Sequence, residues 1–142
     1  MNIVIFHNPN CGTSRNVVKI VKDAGYYPNV VEYLGAGWTI PQLQTLFATA
    51  GMTAHAALRV SKTPAEEMGL TSPEVTEEQL LEAMVAHPIL VNRPFVACKG
   101  QVRLCRPSGE VLSLLKQWPT SPYAKEDGSL LIDADGLPLK GA

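Results

Sequence analysis

Several features are scarce in this sequence of 142 residues, and each scarcity excludes a class of protein. Cysteine occurs three times, an odd number, with no Cys-x-x-Cys pair and no Cys/His spacing typical of zinc, so we expect no bound metal. The formal net charge of −1 provides no field that attracts nucleic acid. No apolar run is long enough to span a bilayer, and no signal-peptide pattern is present. We therefore expect a cytoplasmic protein with free thiols and neither nucleic acid nor a membrane as partner.

The remaining composition is that of an ordinary globular protein, with 46% hydrophobic and 18% charged residues. A chain of this length is large enough to bury a core as one domain, so we expect residues 1–142 to form a single domain. Neither a long heptad pattern nor an obvious apolar patch is present, which favours a monomer.

The N-terminal residues predict a strand, a loop and a helix in direct succession. An apolar run at 2–6 precedes a polar loop, and apolar residues at helical spacing follow in 12–24. Cys11 therefore lies at a helix N-terminus, where unpaired N–H groups and the macrodipole favour a nucleophilic thiolate. The same N–H groups can bind an oxyanion, namely those of Gly12, Thr13 and Ser14. The alternative is a buried, inert cysteine, but the polar neighbours of Cys11 count against it.

The order of the remaining elements predicts an α/β fold. A second strand at 30–34 completes a βαβ unit with a parallel pair. Three capping boxes begin at Thr39, Thr63 and Thr76, and they predict a helical insertion at about 38–87.

After the insertion, strands at 95–98 and 102–105 form a hairpin, and Ser108 caps a final helix. A C-terminal extension at about 118–142 is expected to pack locally through its apolar residues, Leu130, Leu131 and Ile132. This order is thioredoxin-like: a four-stranded mixed sheet flanked by helices, with a helical insertion between the second and third strands. In such a fold Pro94 enters the third strand beside the thiol, and we expect a cis peptide bond there.

Four separated segments resemble the glutaredoxin-dependent arsenate reductases in order and spacing. The segments are 7–16, 57–59, 87–94 and 103–108, and the tail at 125–128 is also similar. The resemblance implies that Cys11 attacks arsenate, that glutathione is the co-substrate that reduces the adduct, and that glutaredoxin resolves the mixed disulfide. It implies no bound cofactor and a role in arsenic detoxification. Ser14 stands where a second thioredoxin-type cysteine would be, and the family is similar in this respect.

Three arginines at loop or strand ends are candidates for binding the oxyanion: Arg59, Arg93 and Arg106. The planar guanidinium fork suits a tetrahedral oxyanion. Any one of them alone is more typical of a surface residue in a weak ion pair. Together with the resemblance, they are expected to bind and orient arsenate.

Other residues near Cys11 are supporting candidates. His7 either lowers the pKa of the thiol when protonated or stabilises the turn by hydrogen bonds, and both interpretations remain open. Asn8 and Ser14 are expected to donate hydrogen bonds that order the loop, and Ser14 can also donate to the thiolate. Arg15 either adds positive potential or points to solvent, and solvent is favoured.

Two further cysteines, Cys98 and Cys105, are expected to be buried thiols rather than a disulfide. Two rival functions remain open from the residues alone. One is a paralogue that acts on another oxyanion or on glutathione mixed disulfides. The other is an RNA polymerase-binding regulator with the same fold, which the single thiol at the loop and the arginines disfavour.

Overall fold

The computed structural model describes residues 1–142. The chain divides into two compact units, residues 1–32 with 93–142 and residues 33–92. The second unit contains the insertion that was predicted at about 38–87 and extends beyond it at both ends. That all 142 residues form one domain stays a prediction.

A four-stranded mixed sheet forms the centre of the first unit. Its strands are β1 (Ile3–His7), β2 (Asn29–Glu32), β3 (Phe95–Cys98) and β4 (Gln101–Leu104), in the order β2-β1-β3-β4. β1 runs parallel to β2 and antiparallel to β3, and β3 and β4 form an antiparallel hairpin. This topology confirms the predicted thioredoxin-like α/β class.

The crossover between β1 and β2 is the helix α1 (Gly12–Asp23), whose apolar face is buried. Val17, Ile20 and Val21 are at most 1% exposed and pack in one core with residues of β1 and β3. Burying side chains of this size stabilises a fold by about 1.5–3 kcal/mol each. The position of the α1 N-terminus, and with it Cys11, therefore follows from the apolar pattern.

The helix that was predicted to begin with a Ser108 cap is instead a 3₁₀ helix, Ser108–Leu114. Pro107 occupies the cap position and offers no side-chain hydrogen bond, so Ser108 becomes the first residue of the helix itself. The expected apolar side nevertheless forms, because Val111 and Leu112 are buried in the same core as α1.

The C-terminal extension forms a two-stranded hairpin, β5 (Tyr123–Ala124) and β6 (Leu130–Ile132). Leu131 and Ile132 are at most 1% exposed and belong to the core of the first unit, whereas Leu130 is 46% exposed. The expectation of purely local packing through all of these residues was therefore wrong.

The second unit is helical, as the insertion was predicted to be. It contains α2 (Tyr33–Ala36), α3 (Ile40–Ala50), α4 (Ala54–Ala57), α5 (Glu77–Ala86) and a 3₁₀ helix, Pro88–Leu90. Tyr33 and Leu34, which were predicted in a strand, form a helical turn that Gly37 closes with a positive φ of 75°. None of the helices combines the length and the apolar character needed to cross a bilayer.

Two of the capping boxes, at Thr39 and Thr76, open α3 and α5 as predicted. The one at Thr63 opens no helix in the structure, so that prediction was wrong. Its hydroxyl donates to the carbonyl of Arg59 at 2.8 Å, and Gly69 soon follows with φ of +70°. The residues between Thr63 and Gly69 are enough for about one helical turn, which is too short to form a stable helix.

Candidate active site

Cys11 occupies the N-cap position of α1, directly after the loop that leaves β1. Its backbone is extended, with φ −107° and ψ 121°, and its carbonyl accepts from Arg15 N at 2.9 Å. Its own N–H donates to the Asn8 carbonyl at 3.1 Å, which closes a turn. Cys11 therefore lies at the helix N-terminus, as predicted, where the helix macrodipole acts on its side chain.

Two arginines reach this loop from the ends of the hairpin. Arg106 Nη1 lies 3.7 Å from Cys11 Sγ and donates to the carbonyl of Arg93 at 3.1 Å. The pairing of β3 with β4 explains this arrangement, because it places the residues just before β3 beside those just after β4. The backbone confirms the expected cis peptide bond between Arg93 and Pro94, and the Arg106–Pro107 bond is also cis.

The environment of Cys11 shifts its pKa in opposing directions. Burial is the largest single influence and raises it, because Cys11 is only 6% exposed. The Ser14 backbone N–H, the charge of Arg93, and the hydrogen bond and charge of Arg106 together outweigh burial. The net result is a pKa below the ordinary value for a thiol, which favours the nucleophilic form.

The side chain of Ser14 orders the loop, as expected, although it accepts one of its hydrogen bonds and does not donate it. Its oxygen accepts from Asn8 N at 3.1 Å and pairs with His7 Nδ1 at 2.6 Å, while its backbone N–H bonds to the Cys11 sulfur. Asn8 also differs from expectation, because its side chain accepts, from Asn10 N at 2.9 Å. Ser14 and Asn8 are both buried and order the loop from within.

His7 fits one of its two interpretations. Burial is the main cause that lowers its pKa, Glu32 raises it, and Arg15 and Lys22 lower it further. The Nδ1 atom of the ring shares a hydrogen bond with Ser14 Oγ, and the Ser14 backbone N–H bonds to the Cys11 sulfur. His7 thus stabilises the turn, and a neutral ring adds no charge to the thiolate.

Arg15 is exposed to solvent, as the favoured expectation had it, but its guanidinium is also held by two partners. Its Nη2 and Nε donate to the Glu126 carboxylate at 2.8 and 3.2 Å, and its Nη1 donates to the Pro9 carbonyl at 3.0 Å. Glu126 was missed as a candidate. The segment 125–128, which contains Glu126, had been noted for its family resemblance. The contact with Arg15 was not predicted, because the two residues are 111 positions apart in the sequence.

The remaining candidates are placed as follows. Gly12 and Thr13 are the first residues of α1, as expected. Arg59 lies in the second unit, is 8% exposed, and donates from Nε to the Ser61 carbonyl at 3.0 Å. Its role at the site stays a prediction.

The other thiols match their expectations. Cys98 and Cys105 are buried and free, and burial is the main cause that raises the pKa of Cys105 to about 12. No cluster of three or more His, Cys, Asp or Glu residues is arranged to hold a metal ion.

Comparison with known proteins agrees with this geometry. The model of the ArsC family matches residues 6–114. The chain is 58% identical over 134 residues to "Arsenate reductase ArsI2" of Synechocystis sp., covering 94% of this chain and 96% of that protein. It is 41% identical over 139 residues to the arsenate reductase of Escherichia coli K12, covering 98% and 99%.

A solved structure described as an arsenate reductase from Vibrio cholerae shares the fold. It has a TM-score of 0.77 and 34% identity, and the match covers 81% of this chain and 98% of that one. The four-stranded sheet, the thiol at the helix N-terminus and these full-length similarities agree with one another, and the chain belongs to the ArsC family.

Proposed function

We propose that this protein is an arsenate reductase in which Cys11 is the nucleophile. The observation that carries the proposal is the position of the Arg106 guanidinium, 3.7 Å from the Cys11 sulfur, at the N-terminus of α1. Positive charge at this distance favours both a thiolate and a bound oxyanion. The similarity to named arsenate reductases over nearly the whole chain supports arsenate as that oxyanion.

The first step joins sulfur to arsenic. The Cys11 thiolate attacks arsenate, an S–As bond forms, and one arsenate oxygen leaves as water after protonation. Arg93 and Arg106 hold the remaining oxygens, and Arg59 is a third candidate for this role. The N–H groups at the start of α1 add further donors for the developing charge.

Glutathione supplies the electrons in the second step. Its thiol attacks the sulfur of the adduct, a Cys11–glutathione disulfide forms, and two electrons pass to arsenic, which leaves as arsenite. Glutaredoxin then takes the glutathione by thiol–disulfide exchange and regenerates the Cys11 thiol. This scheme needs no bound cofactor, and it needs an external thiol because Cys98 and Cys105 are buried. The free thiols suit a reducing cytoplasm.

A coupled assay tests the proposal. NADPH oxidation is measured with arsenate, glutathione, glutathione reductase and glutaredoxin, using the wild type, Cys11→Ser and the matched control Cys98→Ser. Turnover is expected in the wild type and the control and is expected to be lost in Cys11→Ser. Turnover by Cys11→Ser would exclude Cys11 as the nucleophile. Turnover that persists with thioredoxin and is lost in Cys98→Ser would overturn the single-thiol scheme.

A further inference from the structure

The C-terminal extension contacts the Cys11 loop through one ion pair. Glu126 accepts from Arg15 Nη2 at 2.8 Å and from Arg15 Nε at 3.2 Å to one oxygen and 3.3 Å to the other. The pair lies over the first residue of α1, since a Cβ added to Gly12 would be 3.6 Å from Nη2 and 3.9 Å from the carboxylate. Two parallel donors give this contact a defined direction.

Arg15 transmits this contact to the turn that carries the thiol. Its third guanidinium nitrogen donates to the Pro9 carbonyl at 3.0 Å, and its backbone N–H donates to the Cys11 carbonyl at 2.9 Å. One residue therefore links the extension to the loop on both sides of Asn10.

Glu126 is itself held in place by further bonds of its segment. Its backbone N–H donates to Asn16 Oδ1 at 2.9 Å. Three residues earlier, the Tyr123 hydroxyl contacts Asp23 at 2.6 Å and Lys19 at 2.9 Å, at the other end of α1. An exposed ion pair is usually weak because two flexible side chains must be ordered. Here the bonds of the Glu126 segment already provide much of that ordering, and two nitrogens of the Arg15 guanidinium donate to the same carboxylate.

We propose that Glu126 and Arg15 are positioning residues for Cys11, with Glu126 orienting the guanidinium so that Arg15 holds the Pro9–Cys11 turn against the start of α1. The inference rests on the proposed function only in taking Cys11 as the reacting thiol. Neither residue is needed to touch arsenate. Their effect is to keep the sulfur aligned with the Ser14 N–H and with Arg106.

The direction of the change in the Cys11 pKa separates positioning from simple charge effects. Removing the negative charge of Glu126 would, by electrostatics alone, favour the thiolate and lower the Cys11 pKa. If Glu126 positions the loop, its removal loosens the donors around the sulfur and raises that pKa. Replacing Arg15 by lysine keeps the positive charge and removes the two-donor contact with Glu126. A rise in the Cys11 pKa in this variant would therefore come from lost positioning and not from a change of charge.

The experiment measures the rate of iodoacetamide alkylation at Cys11 as a function of pH, with the modified residue located by mass spectrometry. For Glu126→Ala and for Arg15→Lys we expect the Cys11 pKa to rise by about half a unit or more, because thiolate donors are loosened. In the coupled assay, kcat is expected to fall roughly tenfold with little change in the KM for arsenate, because misplacement affects attack more than binding. The double variant is expected to be no worse than either single variant, because the two residues act together.

A matched control is present in the same unit. Arg103 and Glu110 form a similarly exposed pair at 3.5 Å that does not contact the Cys11 loop, and Glu110→Ala is expected to leave the Cys11 pKa unchanged. A lower or unchanged pKa in Glu126→Ala, or an unchanged pKa in Arg15→Lys, would overturn the proposal. Because alkylation needs no arsenate, these outcomes are distinct from a failure of the proposed arsenate reduction.

Discussion

Cys11 is a nearly buried thiol whose pKa is nevertheless lowered. Burial alone would raise it, as it does for Cys105, which reaches about 12. The difference between the two thiols is their surroundings. At Cys11 a helix N–H group and two guanidinium groups together outweigh desolvation. At Cys105 desolvation outweighs the charge of Arg103. A thiolate is therefore favoured at one of the buried sulfurs and disfavoured at the other.

The roles of the arginines lead to a first prediction. Arg93→Ala is expected to lower kcat/KM for arsenate roughly tenfold or more, because a preorganised positive charge next to the reacting sulfur is lost. Arg103→Ala is the matched control. Arg103 pairs with Glu110 at 3.5 Å on an exposed face, so its loss is expected to change kcat/KM by less than about twofold. Steady-state kinetics in the coupled assay check both values, and equal activity of the two variants would remove Arg93 from the site.

A second prediction concerns His7 and the pH dependence of stability. The folded protein lowers the pKa of His7 below its ordinary value of 6.5, mainly by burial. The unfolded chain therefore binds this proton more readily than the folded one does. The stability contributed by neutral His7 is present above pH 6.5 and is lost as pH falls through the lowered pKa.

Urea unfolding of the wild type and His7→Gln from pH 7.5 to pH 5 measures this effect. We expect the free energy of unfolding of the wild type to fall more steeply with decreasing pH, since glutamine does not titrate. The other histidines are common to both proteins and cancel in the comparison. Parallel curves for the two proteins would show that His7 is not held neutral.

Sequence patterns located Cys11 and the Arg106–Cys11 proximity, because local periodicity and strand order determine both. The same patterns assigned Arg15 to solvent. Its partner, Glu126, lies 111 residues away in the sequence, and nothing local to either residue indicates the contact. The backbone N–H of Ser14 was among the donors expected at the helix N-terminus, but its side-chain partners, His7 and the Asn8 N–H, depend on the exact turn of the loop and were not predicted.

At the scale of elements, the C-terminal hairpin contributes to the core of the first unit. Leu131 is fully buried beside residues of α1 and β1, while its neighbour Leu130 is 46% exposed. The burial begins at Leu131 and continues at Ile132, so these two residues face the core and Leu130 does not. The extension is therefore part of what holds α1, and Cys11 with it, in place.

The difference in burial between Leu130 and Leu131 gives a third prediction with a built-in control. Leu131→Ala is expected to lower the free energy of unfolding by about 2–5 kcal/mol, through lost burial and a residual cavity. Leu130→Ala is expected to change it by less than about 1 kcal/mol, because that side chain is half exposed. Urea unfolding measures both. Similar losses for the two variants would contradict the core role of the extension.

The helices show why capping patterns predict some elements and not others. The boxes at Thr39 and Thr76 are followed by apolar residues at helical spacing, and both produce helices. Thr63 has the same signature, but Gly69 follows after one turn, and the hydroxyl bonds back to preceding carbonyls. Local signals require a following apolar face to become an element.

At the scale of the whole molecule, similarity to an arsenate reductase of Synechocystis sp. covers 94% of the chain. It therefore extends over both compact units, including the one that contains Arg59. The proposed chemistry takes its nucleophile and two of its arginines from the first unit. The monomeric state stays a prediction.

Arsenate protection of Cys11 against alkylation tests the central claim most directly. Iodoacetamide is added to the protein at pH 7 with and without arsenate, and the extent of modification at Cys11 is followed by mass spectrometry. The expected result is alkylation faster than that of an ordinary thiol of pKa ~8.5, slowed by arsenate in the wild type but not in Arg93→Ala. Alkylation at the rate of an ordinary thiol, unchanged by arsenate, would contradict an activated Cys11 that attacks a bound oxyanion.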